Sequence, residues 1–152
     1  MECQMYKKVL IATDGSELAR KAVRAGLELA KALNADVTLV TVTERWPVVD
    51  MAAQAEMGVK DPVGAYEVLA QKGAQSTLDA ATKIAGEVGI ICEPIHVRDQ
   101  HPSGGILQTA EKQGSDLIVI ASHGRRGLSK ILLGSIANEV VTKSTVPVLI
   151  VR

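Results

Sequence analysis

The residues best suited to chemistry lie in two short turns. The first is Thr13-Asp14-Gly15-Ser16, which closes the apolar run at residues 8–13. The second is Ser122-His123-Gly124-Arg125-Arg126-Gly127, which follows LIVIA and leads, after a short apolar stretch, to Gly134-Ser135. Glycine lets the backbone come close to a bulky anion and take up positive φ. Where such a turn opens a helix, first-turn N–H groups face the anion and the helix dipole favours its charge. Two such turns converging would cradle a phosphate. Isolated glycine turns are also ordinary connectors, so composition alone leaves that plainer reading open.

The absences narrow the chemistry. No run of the form GxxxxGK[ST] occurs, which excludes a Walker A loop. The Gly124/Gly127 region lacks GxGxxG spacing and follows a late strand instead of the first, unlike a dinucleotide fingerprint. The spacing positions no carboxylate pair or lysine to activate a water or stabilise a γ-phosphoryl transition state, so fast hydrolysis is not expected. His123 has no Ser or Cys nucleophile paired with it by sequence and reads as a packing or hydrogen-bonding residue. His96 falls in a strand and His101 in a loop, so the three histidines show no metal-ligand spacing. Arg125, Arg126 and Lys130 either screen phosphate charge or form a solvated basic loop.

Strands and helices must hold these turns in place. Apolar runs of strand length lie at 8–13, 37–43, 91–98, 117–121 and 146–151. Pro94 marks the third as an interrupted or edge strand. The intervals are helical. After Ser16, a natural N-cap, Ala19, Ala22, Val23, Gly26, Ala30 and Leu33 form one apolar stripe, with Arg20, Arg24, Glu28 and Lys31 opposite. Further helices are expected at about 66–88, 103–113 and 135–143. The alternation β-α-β-α-β-α-β-α-β implies an α/β fold with a parallel sheet and right-handed crossovers. Residues 44–65, with Trp46, Pro47, Met51, Met57, Gly58, Pro62 and Gly64, show poor periodicity and are expected to form a partly helical excursion near the mouth of the site.

Composition fits this plan. A chain of 152 residues is expected to form one domain, 1–152. At that size it can bury roughly 70% of the surface its unfolded form exposes, without metal or disulfide. Hydrophobic residues make up 47% but aromatics only 2%, with no Phe, so the core must be aliphatic, as suits a parallel sheet covered by helices. Seventeen basic residues balance seventeen acidic ones, so no global charge draws the protein to nucleic acid or a membrane. Cys3 and Cys92 are too few and too scattered for a disulfide framework or zinc site, and read as reduced thiols. The N-terminus lacks an apolar signal core and no run is long enough to span a bilayer, so a cytoplasmic location is expected.

The segment ASHGRRGLSKILLGS (121–135) resembles the ATP-binding motif of the universal stress protein family, in its UspA-like, ATP-binding branch. That motif is a glycine, two residues, a second glycine, nine residues, and a third glycine followed by Ser or Thr. Gly124, residues 125–133, Gly134 and Ser135 match it, and VLIATDGSELARKAV, DLIVIASHG and VPVLIVR extend the likeness over almost the whole chain. The resemblance implies an open five-stranded parallel sheet, order 3-2-1-4-5, flanked by helices in a Rossmann-like, adenine nucleotide alpha hydrolase-like fold. The two turns then lie side by side at the switch point. It also implies ATP as ligand, with Mg2+ held by the phosphates. Ala12, Thr13 and Asp14 would lie beside the nucleoside, and Val42 against adenine. Ala121, Gly124, Arg125, Gly127, Gly134, Ser135, Ile136 and Ala137 would follow the phosphates. Plainer roles stay open: Asp14 and Ser135 as helix caps, Val42 as core.

Two departures stand out. Ala121 replaces the first motif glycine. With negative φ there the change adds only a methyl, whereas positive φ would cost about 1 kcal/mol. Gln100-His101-Pro102 stands where relatives often have a Gly-Asp-Pro-like turn. Three functional readings follow: an ATP-binding regulatory protein read by a protein partner, a slow ATPase or phosphotransferase using the same pocket, and a nucleotide-independent dimer. The last strand, bounded by Val146 and Val151, is dense in apolar β-formers with only Pro147 to discourage pairing. It is expected to pair antiparallel with its copy in a homodimer, as the resemblance also implies.

Overall fold

A computed structural model describes residues 5–125 and 132–152. In chain order the elements are β1 (Lys8–Ala12), α1 (Glu17–Leu33), β2 (Asp36–Thr43), α2 (Val48–Glu56), α3 (Pro62–Val88), β3 (Cys92–Arg98), α4 (Pro102–Gln113), β4 (Leu117–Ala121), α5 (Ser135–Lys143) and β5 (Val148–Val151). The five strands form one parallel sheet in the order β3-β2-β1-β4-β5, as the resemblance implies. β3, the strand with Pro94, lies at one edge and β5 at the other.

Strand alternation divides the core in two. Val9, Ile11, Val37, Leu39, Leu117 and Val119 face α1 and α3, while Leu10, Ala12, Val40, Ile118 and Ile120 face α4 and α5. Leu10, Ile11, Leu27, Leu39 and Ile118 are fully buried, each contributing roughly 1.5–3 kcal/mol. Gly26 brings α1 onto the sheet: a Cβ there would lie 2.8 Å from Ile11 Cδ1.

Helix α1 begins where Ser16 Oγ accepts from Ala19 N at 3.2 Å. It ends at Asn34 in the left-handed conformation, φ 53°. The stretch 44–65 is partly helical, as expected, but its organisation is more regular than its periodicity indicates. It contains α2, none of whose residues is buried, and the first turn of α3. α3 starts at Pro62, earlier than the expected 66, because Asp61 accepts from Gly64 N at 3.0 Å and proline fits the first helical turn. Among the described residues no helix is long and apolar enough to cross a membrane.

Candidate functional site

β1 and β4 are neighbours, so the turns that leave them meet. Asp14 ties them together. Its Oδ1 accepts from Ser16 N at 2.9 Å and its Oδ2 accepts from Arg125 N at 3.1 Å, across 111 positions of sequence. Its carboxylate therefore does not cap α1, a role Ser16 takes; it clamps one turn to the other. Gly124 permits the clamp, since a Cβ there would lie 2.5 Å from Asp14 Oδ2. Thr13 N continues the ladder to Val40 O at 2.9 Å, and Thr13 Oγ1 accepts from Gly15 N at 3.2 Å, with Gly15 at φ 79°.

The second turn is closed at its far end. Gly134 N donates to Ser122 O at 2.7 Å, and a Cβ on Gly134 would lie 3.1 Å from Ser122 O and from His123 Cα. Gly134 is also the N-cap of α5 and has no side chain to offer the first turn. The first intrahelical bond runs from Asn138 N to Gly134 O at 2.9 Å, so the amides of Ser135, Ile136 and Ala137 have no acceptor within the helix. Ser135 is exposed, Ile136 packs into the α4/α5 core and Ala137 is buried. Ile136 and Ala137 thus keep their side chains as core, and only their backbone N–H groups are open at the start of the helix.

Ala121 ends β4, paired with Val151, and does not lie in the left-handed region. The alanine therefore adds a methyl without backbone strain. Val42, near the end of β2, is half-buried against α4, where a Cβ on Gly105 would lie 2.8 Å from both of its γ-carbons. Ala12, Val42, Ile136 and Ala137 share the α4/α5 side of the sheet. Arg125 sends its guanidinium to the other side, where it lines a cleft of about 200 Å³ with Thr13, Gly15, Arg20, Ser76 and Thr77. Gly127, with Arg126 and Lys130, lies outside the described residues. His123 Nδ1 is hydrogen-bonded to Ser122 Oγ at 3.1 Å, the local role its sequence context indicates. Among the described residues no three His, Cys, Asp or Glu side chains converge as metal ligands.

A polar network beside Val42 escaped the sequence reading. His101, the N-cap residue of α4, stands between two carboxylates: Nδ1 is 3.3 Å from Glu44 Oε1 and Nε2 is 3.1 Å from Glu139 Oε2. Ser103 Oγ donates to Glu139 Oε2 at 2.6 Å, and Lys143 Nζ lies 3.8 Å from the same oxygen. The Ser103 hydroxyl above all holds the Glu139 carboxyl below its usual range; His101 and Lys143 act in the same direction, against burial. Tyr66 Oη donates to Glu44 O at 2.8 Å, and Trp46 stacks on Tyr66 at 4.9 Å. His96 bonds Thr43 Oγ1 at 2.9 Å, and burial, then Arg98, pushes its ring below the ordinary histidine range. Positions 44, 101 and 139 share no sequence spacing. The one available signal was His101 at a motif departure.

A family model described as the universal stress protein family matches residues 5–152. Universal stress protein MJ0531 of Methanocaldococcus jannaschii is 34% identical, covering 97% of this chain and 83% of its own length. The solved structure of MJ0577, a universal stress protein of the same organism, is 32% identical with a TM-score of 0.76, covering 97% of this chain and 96% of that one. The structure of the universal stress protein from Archaeoglobus fulgidus in complex with dAMP shares the fold at 23% identity, with a TM-score of 0.70 over 97% of this chain and 99% of that one.

Proposed function

The chain belongs to the universal stress protein family, and from that premise we propose that it is a regulatory protein holding ATP at the carboxyl ends of β1 and β4. The observation that carries the reading is the pairing of the Asp14 clamp with the open first turn of α5. The clamp closes the two turns on each other. The amides of Ser135, Ile136 and Ala137 then provide donors with no acceptor within the helix, at its positive end. Adenine would rest against Ala12 and Val42 on the apolar side. The phosphates would run past Ala121, Gly124 and the backbone of Arg125 to Gly134 and Ser135, with Gly127 a further candidate contact that lies outside the described residues.

The donor set fits an anion better than a bare cation. Both Asp14 oxygens already accept backbone amides, so Mg2+ would be held by the phosphates themselves. For the same reason Asp14 is poorly disposed to act as a general base, which favours a binding and signalling role over hydrolysis. The dAMP of the Archaeoglobus protein is that protein's ligand, and an adenine nucleotide is in keeping with the apolar wall here. The regulatory unit would be a homodimer joined through β5.

Mass spectrometry of small molecules released by denaturing freshly purified protein tests the reading, together with calorimetric titration with ATP. Release of an adenine nucleotide and saturable ATP binding are expected. Protein that releases none and gives no heat with ATP would favour the nucleotide-independent reading.

A further inference from the structure

We infer that His101 is a positioning residue for the nucleotide, joining the adenine side of the crevice to the phosphate side and doing so in its protonated form. This rests on the ATP site proposed above. Glu44 lies two residues beyond Val42, on the adenine side, and Glu139 lies one helical turn beyond Ser135, on the phosphate side. His101 touches both, with Nδ1 3.3 Å from Glu44 Oε1 and Nε2 3.1 Å from Glu139 Oε2.

The chemistry of the ring decides its state. A neutral imidazole has one N–H, whereas imidazolium donates from both nitrogens. A carboxylate only accepts, so both contacts are hydrogen bonds only while the ring carries its second proton. The charged groups facing it are Glu44 from the β2–α2 connection and Glu139 and Lys143 from α5, while Arg98 ends β3 and Asp99 precedes it on its own loop. When the ring loses its proton, Glu139 keeps Ser103 Oγ at 2.6 Å and Lys143 at 3.8 Å. The one N–H that remains can serve only one of the two carboxylates, so the bridge between Glu44 and Glu139 breaks whichever nitrogen keeps it. The exit of β2 then loses its tie to α5, and one carboxylate of the crevice loses the positive charge that offset it. ATP should bind more weakly at the alkaline than at the acidic end of a pH series.

Calorimetric ATP titrations from pH 5.5 to 8.5 on the parent, His101→Gln and His101→Lys test this. Comparison with the parent cancels the titration of the nucleotide's own phosphates. The affinity of the parent should fall by about three- to fivefold more than that of either variant, the size of one exposed ion pair. His101→Lys, a permanent cation, should stay near the low-pH affinity of the parent, and His101→Gln near its high-pH affinity. Identical pH profiles in parent and His101→Gln would overturn the inference and leave the ATP site standing. Absence of ATP binding in all three proteins at every pH would remove the ATP site, and the positioning role with it. Nitrogen-detected NMR of the nucleotide-free parent and of Glu44→Gln separates the cases. A bridge requires the Glu44 change to lower the midpoint of the His101 ring, and an unmoved midpoint overturns it.

Discussion

Gly124 is the residue on which the proposed site turns, and its importance comes from its neighbour. A valine there would place its β-carbon against Asp14 Oδ2, where only 2.5 Å is free, and its branches would narrow the backbone choice as well. The carboxylate would swing away and release Arg125 N and Ser16 N together. Gly124→Val should therefore lower ATP affinity at least tenfold, about 1.4 kcal/mol or more, in calorimetric titration, while circular dichroism stays that of the parent because Gly124 is exposed. A folded variant that binds like the parent would show that the second turn is not the phosphate site. Ala121 makes the opposite case. It is an extended strand residue, so restoring the family glycine relieves no strain. Ala121→Gly should leave ATP affinity within about twofold while costing roughly 0.5–1 kcal/mol in chemical denaturation, the entropy of a strand glycine. A large gain in affinity would mean that the methyl itself obstructs the nucleotide.

At the scale of elements, Gly105 shows how a helix sets a binding wall. Its missing side chain lets α4 sit against Val42, leaving 2.8 Å between a would-be Cβ and either γ-carbon. Valine is stiff at χ1 and cannot step aside. Gly105→Ala should cost about 1–3 kcal/mol by overpacking, although alanine is the better helix former, and should weaken ATP binding because Val42 must move. Denaturant melts and titration check both parts. A more stable protein with unchanged affinity would mean that Val42 does not shape the wall. The elements themselves were largely legible in the residues. Ser16 announced the start of α1, Pro94 marked β3 as an edge, and the expected bounds of β4 and α5 match the structure. Helix α2 was not legible for a physical reason: it buries none of its residues, so no apolar stripe was there to read. The earlier start of α3 did leave a trace, since Asp61-Pro62 is a cap followed by proline at the first helical turn. The His101 bridge left only the motif departure at His101 itself, because three distant elements had to be placed before positions 44, 101 and 139 could meet.

For the molecule as a whole, alternating strands and helices were enough to indicate a parallel α/β sheet, whereas the strand order came from resemblance to a known family. That order leaves β5 at an edge, where one side of its backbone pairs with no strand among the described residues. The edge is also coupled to the site. Val151 pairs with Ala121, and its carbonyl accepts from Ser122 N at 2.8 Å, where the second turn begins. Leu149 on this strand remains exposed, apolar surface that a second copy would cover. Sedimentation of the parent should accordingly give a species of twice the 16.1 kDa chain mass. Leu149→Lys places a charge on the edge strand, a substitution that discourages pairing between edges, and should shift the protein to the monomer. Losing the partner should loosen β5, and through Val151 the turn that carries Gly124. The monomeric variant should then bind ATP more weakly, by about fivefold on the lower end of ordinary coupling energies. A parent that sediments as a monomer would remove the proposed interface. A monomeric variant that binds ATP as tightly as the parent would leave the interface standing but show that β5 does not steady the cradle.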